Sequence, residues 1–132
     1  MSQTQADERV ILVIEDDPDV RSMITILLGL EGYRVSAAEN GREALDVLHG
    51  GMHPDLILVD LMMPVMNGWQ FRAEQTRDPS IASIPAVVIS GGDRIAEHSQ
   101  ALGAADYLRK PIDLDVLLAT VQRHMRVHAP GA

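Results

Sequence analysis

Residues 54–64 read Pro-Asp-Leu-Ile-Leu-Val-Asp-Leu-Met-Met-Pro. The four apolar residues at 56–59 predict a strand that is buried on both faces, as strands of parallel sheets are. Asp60 follows them directly and is itself followed by more apolar residues. Because an unpaired carboxylate is costly to bury, Asp60 is a candidate for chemistry rather than for a structural role.

On either side of this segment, short apolar runs alternate with helical patterns. The predicted strands cover residues 10–14, 33–37, 56–59, 86–89 and 106–109. Strict alternation of this kind predicts an α/β fold, with a parallel sheet and helices on both of its faces. Because crossovers between parallel strands are right-handed, five strands favour a doubly wound sheet of flavodoxin-like order, 2-1-3-4-5.

Capping residues mark the predicted helix starts. Asp17 followed by Pro18 predicts one start. Asn40 predicts another, and Glu43, three residues on, forms a pair like a capping box with it. Asp113 caps the last helix, whose predicted apolar face consists of Leu114, Leu117, Leu118, Val121 and Met125.

One predicted helix, at residues 69–76, has a weak apolar face. Arg72 and Gln75 occupy positions where apolar residues would help the helix to pack. Trp69 or Phe71 is therefore expected to do most of the packing of this helix.

The composition restricts the class of protein. The 132 residues suit one domain, which we assign to residues 10–127, with flexible segments at 1–9 and 128–132. A net charge of −8 would repel phosphates and argues against direct binding to nucleic acid. No apolar run reaches the ~20 residues of a membrane helix, so no membrane insertion is expected. The lack of cysteine excludes disulfides and thiolate metal sites and favours a cytoplasmic location.

Chemically active side chains stand at the ends of four predicted strands. Glu15 and Asp16 end the first strand, Asp60 the third, Ser90 the fourth and Lys110 the fifth. In open α/β sheets the binding crevice lies beyond the carboxyl ends of the strands, so these groups are expected to converge. Carboxylate oxygens suit Mg²⁺, and a lysine and a hydroxyl can bind phosphoryl oxygens. The set predicts phosphoryl transfer with Asp60 as the nucleophile.

Three motifs, in this order, resemble the receiver domains of two-component response regulators. They are Ile-Leu-Val-Ile-Glu-Asp-Asp-Pro-Asp-Val-Arg at 11–21, Pro-Asp-Leu-Ile-Leu-Val-Asp-Leu-Met-Met-Pro-Val-Met-Asn-Gly at 54–68, and Gly-Ala-Ala-Asp-Tyr-Leu-Arg-Lys-Pro at 103–111. The likeness extends over residues 10–125 and fits a stand-alone receiver domain.

The resemblance implies roles for the matched residues of the site. Asp60 would be the phosphoacceptor and also a metal ligand. Asp16 would bind Mg²⁺ directly, and Glu15 would act through water. The backbone carbonyl of Met62 would complete the protein's share of the coordination, and Lys110 would contact the phosphoryl group. Glu15 stands where an aspartate is also common in the family, a variation that should not prevent metal binding.

The resemblance also implies a switch that acts beyond the site. Ser90 would be the switch hydroxyl, and Tyr107 the switch aromatic that turns inward on activation. The segment from Ser90 to Lys110 is slightly shorter than in the family, a loss we assign to the fourth helix or the loop before it. Gly91 and Gly92 would leave that loop unusually free.

The expected function is a phosphorylation-dependent signalling switch. A sensor histidine kinase or a histidine phosphotransfer protein would donate the phosphoryl group to Asp60, with Mg²⁺ bound. The face made by the fourth helix, fifth strand and fifth helix would then change its affinity for a downstream effector protein in trans, and a homodimer is a further arrangement that phosphorylation could favour. The chain would assist its own phosphorylation and dephosphorylation without being a conventional enzyme.

Other functions fit the residues less well. A receiver-like binding module that is never phosphorylated would not need the complete set of Glu15, Asp16, Asp60 and Lys110. Metal-dependent phosphohydrolases that use an aspartate nucleophile commonly have a second acid two residues later, where this chain has Met62. A Rossmann-type nucleotide site would need a glycine-rich loop after the first strand, and here acids and a proline follow it.

Overall fold

The computed structural model describes residues 9–125, so most of the segment 1–9 and the whole tail 128–132 lie outside the described residues. Within this range, five strands and five helices alternate. The strands are β1 Val10–Ile14, β2 Arg34–Ala38, β3 Leu56–Asp60, β4 Ala86–Ser90 and β5 Asp106–Arg109. The helices are α1 Pro18–Leu30, α2 Gly41–His49, α3 Gly68–Arg77, α4 Ile95–Ala101 and α5 Leu114–His124.

The strands form one parallel sheet in the order β2-β1-β3-β4-β5, as predicted. β3 is central, and every one of its side chains is buried. Ile14 lies opposite Val59, and Asp60 lies opposite Ile89. The carboxyl ends of β1, β3 and β4 therefore meet at one edge of the sheet.

Two apolar layers cover the sheet, and alternate residues of β1 contribute to each. Ile11 and Val13 pack with apolar residues of α1 and α5. Leu12 and Ile14 pack with apolar residues of α2, α3 and α4. The sheet is thus covered on both faces, which accounts for the uninterrupted apolar sequences of its central strands.

The caps of the first, second and last helices are as predicted. The Asp17 side chain accepts from the backbone N–H groups of Asp19 and Val20, and the Asn40 side chain accepts from that of Glu43. Asp113 accepts from the Val116 N–H at 3.1 Å. The predicted capping-box pair at Asn40 is wrong in one respect: the Glu43 carboxylate accepts from the N–H of Glu39 rather than that of Asn40. The reciprocal capping box is at the start of α3, between Asn67 and Gln70.

The weak apolar face of α3 is compensated by buried hydrogen bonds. Arg72 donates to the carbonyl oxygens of Leu102 and Gly103 at 2.9 and 3.1 Å, and also to the Gln75 side chain. The Gln75 amide donates to the carbonyls of Ile81 and Ile84 at 2.9 and 3.0 Å. Phe71 is fully buried and Trp69 packs partly against the core, which confirms the predicted apolar contacts of this helix.

Two features around the last helices differ from the expectations. Leu114 is 43% exposed, so its place on the predicted apolar face is wrong. The buried side of α5 begins one turn later, at Leu117. α4 has only seven residues, and its N-cap residue Arg94 makes no capping hydrogen bond through its side chain. Over residues 9–125, no helix has the length and apolar character needed to cross a bilayer.

Candidate functional site

Three carboxylates meet at the carboxyl edge of the sheet. Asp60 is the last residue of β3 and is 2% exposed, and Glu15 follows β1 and is fully buried. Asp16 is exposed beside them. One oxygen from each of the three lies within 4.8 Å of the others. The strand order therefore brings together the three acids that the sequence predicted at this edge.

Lys110 bridges the two buried acids. Its Nζ lies 2.9 Å from Asp60 Oδ2 and 3.1 Å from Glu15 Oε1. Its backbone N–H donates to the Ser90 carbonyl at 3.0 Å, which extends the pairing of β4 with β5 by one residue. The Lys110–Pro111 peptide bond is cis. Lys110 is also the only lysine in the sequence.

Burial and neighbouring charges shift the pKa values of Glu15 and Lys110. Burial raises the pKa of Glu15 to about 7, and the neighbouring Asp60 carboxylate adds to this rise, whereas the Asp17 N–H and Lys110 oppose it. Burial alone would lower the pKa of Lys110. The hydrogen bond and charge of Asp60, with the charge of Glu15, outweigh that effect and raise the Lys110 pKa above 10.5.

The donor set fits a small divalent cation. Three carboxylates face a single ammonium, so the cluster carries an excess of negative charge when its acids are ionised. Among the described residues, Glu15 Oε1 is a buried oxygen without a hydrogen-bond partner, although Lys110 Nζ lies at ion-pair distance. Hard oxygen ligands and an incomplete set of partners suit Mg²⁺, which keeps several of its own waters.

Met62 and Ser90 lie beside the carboxylates. The Met62 N–H donates to Asp60 Oδ1 at 3.1 Å, while the Met62 side chain is 73% exposed. Ser90 ends β4, and its hydroxyl oxygen accepts from the Gly92 N–H at 3.1 Å. Tyr107 is on β5 opposite Val88, and it is 36% exposed. The roles implied for these three residues stay predictions.

In the loop after Ser90, both backbone polar groups of Gly92 form hydrogen bonds. Its N–H donates to the Ser90 hydroxyl, and its carbonyl accepts from Arg109 Nη1 at 3.2 Å. A glycine pair was expected to leave this loop free. The contact between Arg109 and Gly92 could not be predicted from local sequence, because the two residues are 17 positions apart.

Gly68 is a further residue of the site that the sequence did not single out. A Cβ atom at this position would lie 2.6 Å from the Asp60 carbonyl oxygen and 2.8 Å from Leu61 Cα. The Gly68 N–H also donates to the Leu61 carbonyl at 3.1 Å. The start of α3 thus approaches the backbone of the Asp60 segment more closely than any side chain would allow.

Known proteins with similar sequences belong to one family. The sequence model described as "Response regulator receiver domain" matches residues 11–122. Protein PilH of Pseudomonas aeruginosa is 34% identical over 113 residues, which make up 84% of this chain and 93% of PilH. Longer relatives match as well, and the chain spans 48% and 26% of two of them.

Solved structures show the same fold. The chemotaxis protein CheY4 of Vibrio cholerae has a TM-score of 0.82 and 29% identity, over 89% of this chain and 99% of that one. The response regulator protein TrrA of Thermotoga maritima, solved in complex with Mg²⁺ and BeF, has a TM-score of 0.78 and 26% identity, over 89% and 99% of the two chains.

Proposed function

The chain belongs to the family of response regulator receiver domains, and on this premise we propose that Asp60 accepts a phosphoryl group with the help of Mg²⁺. Phosphorylation-dependent signalling is the general function that the family gives. The metal, the phosphodonor, the roles of individual residues and the partners are parts of the proposal.

One observation carries the proposal: the buried Asp60 carboxylate contacts Lys110 and shares a cluster with two further carboxylates. A buried aspartate needs such a cation to stay ionised, and only the ionised form is a nucleophile. Lys110 supplies a positive charge next to the Asp60 carboxylate. The same ammonium is within reach of an anionic group attached to Asp60.

The transfer step requires one bond to form and one to break. An Asp60 carboxylate oxygen forms a bond to phosphorus, and the P–N bond of a donor phosphohistidine breaks. The electron pair of that bond stays on the imidazole nitrogen. Because the other ring nitrogen carries a proton, the released imidazole is neutral. Asp60 becomes an acyl phosphate, whose added negative charge Lys110 can bind.

Mg²⁺ would be held by the carboxylates of Asp16 and Asp60, by Glu15 through water and by the backbone carbonyl of Met62. When bound, it offsets the charge of the carboxylates and of the phosphoryl oxygens. The orphaned Glu15 Oε1 and the excess of acids support this part of the proposal. The complex of TrrA with Mg²⁺ and BeF supports it by family likeness.

The switch would extend from Asp60 to the surface formed by α4, β5 and α5. The phosphoryl group would draw in the Ser90 hydroxyl, which now accepts a hydrogen bond from Gly92. Movement of that loop would let Tyr107 repack from its exposed position. The changed surface would then bind an effector protein with a different affinity.

The phosphodonor in this proposal is a sensor histidine kinase or a histidine phosphotransfer protein, and the protein acts in the cytoplasm. It assists its own phosphorylation and dephosphorylation but does not turn over a separate substrate. These statements rest on family membership and on the phosphoacceptor chemistry of Asp60.

Intact mass after incubation with acetyl phosphate tests the proposal. We expect the wild type to gain one phosphoryl group in the presence of Mg²⁺ and none in the presence of a chelator. Asp60→Asn should gain none under either condition, because the amide is not a nucleophile of this kind. Asp46→Asn, a matched change at an exposed position on α2, should be phosphorylated like the wild type.

Phosphate retained by the Asp60→Asn protein would overturn the assignment of the phosphoacceptor. If the wild type is not phosphorylated by acetyl phosphate, or by a phosphorylated histidine phosphotransfer protein used as a second donor, the binding module that is never phosphorylated becomes the better description.

A further inference from the structure

The mechanism above leaves Arg21 unused, although it contacts the site. We propose that Arg21 is a positioning residue, which holds the acid turn (residues 15–17) so that Glu15 and Asp16 present their carboxylates to Mg²⁺. This inference rests on the proposed use of Mg²⁺. Arg21 is half-buried, one turn into α1.

Arg21 donates to every carbonyl group of the acid turn. Its Nη1 lies 2.8 Å from the Glu15 carbonyl oxygen and 3.4 Å from that of Asp16. Its backbone N–H donates to the Asp17 carbonyl at 2.9 Å. One residue therefore satisfies three successive acceptors at the point where the chain leaves β1.

The turn needs such support because its two acids are fixed in different ways. Glu15 has its N–H bonded to the Ala38 carbonyl, and its side chain accepts from Asp17 and Lys110. The Asp16 side chain is exposed, so its direction follows mainly from the backbone that carries it. By holding the carbonyls of the two peptide groups that flank the Asp16 Cα, Arg21 limits rotation of the turn and the positions that the Asp16 carboxylate can reach.

The charge of Arg21 and its hydrogen bonds have opposite effects on the affinity of the site for Mg²⁺. A guanidinium beside the carboxylates repels Mg²⁺, so its removal should strengthen metal binding if charge were its only effect. Its hydrogen bonds are to carbonyl oxygens, and their loss would allow the turn to rearrange and weaken binding. The direction of the change in affinity therefore distinguishes the two roles.

Calorimetric titration with Mg²⁺ on the full chain is the test, with Arg21→Met, Arg21→Lys and wild type. We expect Arg21→Met to bind Mg²⁺ about tenfold more weakly, as losses of groups that orient metal ligands do. Arg21→Lys keeps one donor and the charge, and its Mg²⁺ affinity should lie between those of Arg21→Met and wild type. Arg77→Met removes the same charge from an exposed position at the end of α3 and should leave the Mg²⁺ affinity unchanged.

Two further measurements separate positioning from general damage to the fold. The exchange of the Asp16 and Asp17 amide hydrogens without metal should be faster in Arg21→Met, whereas amides of β3 should be unchanged. The rate of phosphorylation by acetyl phosphate should return to near the wild-type value at saturating Mg²⁺, because only the metal affinity is affected. If Arg21→Met does not fold, the comparison of Arg21→Lys with wild type decides the question.

Mg²⁺ affinity in folded Arg21→Met that equals or exceeds that of the wild type would overturn the proposal. If Arg21→Met does not fold, equal Mg²⁺ affinity of Arg21→Lys and wild type would also overturn the proposal. The proposed phosphorylation of Asp60 could fail independently: the mass measurement would then show no phosphoryl group, while the effect of Arg21 on Mg²⁺ binding would still be measured. A wild type that does not bind Mg²⁺ would overturn both.

Discussion

At the scale of single residues, the site depends on backbone contacts as much as on side chains. Gly68 is helical and has no positive φ, so its backbone conformation does not require glycine. What requires glycine is the contact with the Asp60 carbonyl oxygen and with Leu61 Cα, both of which are backbone atoms. Backbone atoms of a central strand cannot rotate away from a new methyl group as the end of a side chain can.

We therefore expect Gly68→Ala to destabilise the protein by about 1–3 kcal/mol, the range found for overpacked sites. Part of the strain would move the Asp60 segment, so phosphorylation by acetyl phosphate should also slow. Urea denaturation gives the first quantity and the mass measurement gives the second.

Gly29→Ala is the matched control for this prediction. Gly29 also lies in a helix, α1, and nothing stands within 4 Å of a Cβ atom built there. Alanine should stabilise that helix by about 0.5–1 kcal/mol relative to glycine. Equal stability changes in the two alanine variants would contradict the steric account of Gly68.

At the scale of elements, α3 is joined to α4 by a polar contact inside an apolar layer. The Arg72 guanidinium is buried, and burial lowers its pKa from the usual value. It nevertheless reaches the carbonyls of Leu102 and Gly103, just after the end of α4. Because α4 is short and lacks a side-chain cap at its start, this contact adds a constraint at its other end.

Arg72→Met should destabilise the protein by about 1–3 kcal/mol, since it leaves the buried Gln75 side chain and the carbonyl groups of Leu102 and Gly103 without their donor. The substitution should accelerate hydrogen exchange more at the amides of α4 than at those of α2. Arg77→Met, an exposed change on the same helix, should alter stability by at most about 0.5 kcal/mol. Uniform acceleration of exchange throughout the protein would argue against a local role for Arg72.

Elements that local sequence determines were predicted closely. The bounds of β1 and β5 agree with the prediction, and those of β2, β3 and β4 differ by one residue. The weak apolar face of α3 was also predicted from the sequence, with Arg72 and Gln75 as the residues that interrupt it. Their partners outside the helix could not be predicted, because these belong to segments 6 to 31 residues away that meet them only in the folded chain. Leu114 failed for a related reason: periodicity assigns a face to a helix but not the position where its packing begins.

At the scale of the whole molecule, Lys110 connects strands that are distant in sequence. It is 50 residues from Asp60 and 95 residues from Glu15, so its two ion pairs form only when β1, β3 and β5 are assembled in the sheet. The sequence predicted that these residues converge, since parallel strands end at the same edge. It did not predict that one ammonium would contact both acids, which depends on the register of the strands.

Lys110→Met should therefore destabilise the metal-free protein at a pH above the Glu15 pKa of about 7. The expected loss is about 2–4 kcal/mol, because two buried carboxylates lose their cation. Mg²⁺ stabilises any folded state that binds it, and it should stabilise the variant more than the wild type, since Lys110 no longer competes for the same carboxylates. Denaturation of both proteins with Mg²⁺ and with a chelator measures the difference.

Arg109→Met is the neighbouring control. It removes the same charge from an exposed position on β5 and loses one exposed hydrogen bond to Gly92. Its cost should be at most about 1 kcal/mol, and it should be the same with and without Mg²⁺. If the stability loss of Lys110→Met were also the same with and without Mg²⁺, Lys110 and Mg²⁺ would not act on the same carboxylates. If Mg²⁺ reduces the stability loss only in Lys110→Met, the lysine and the metal neutralise the same buried acids.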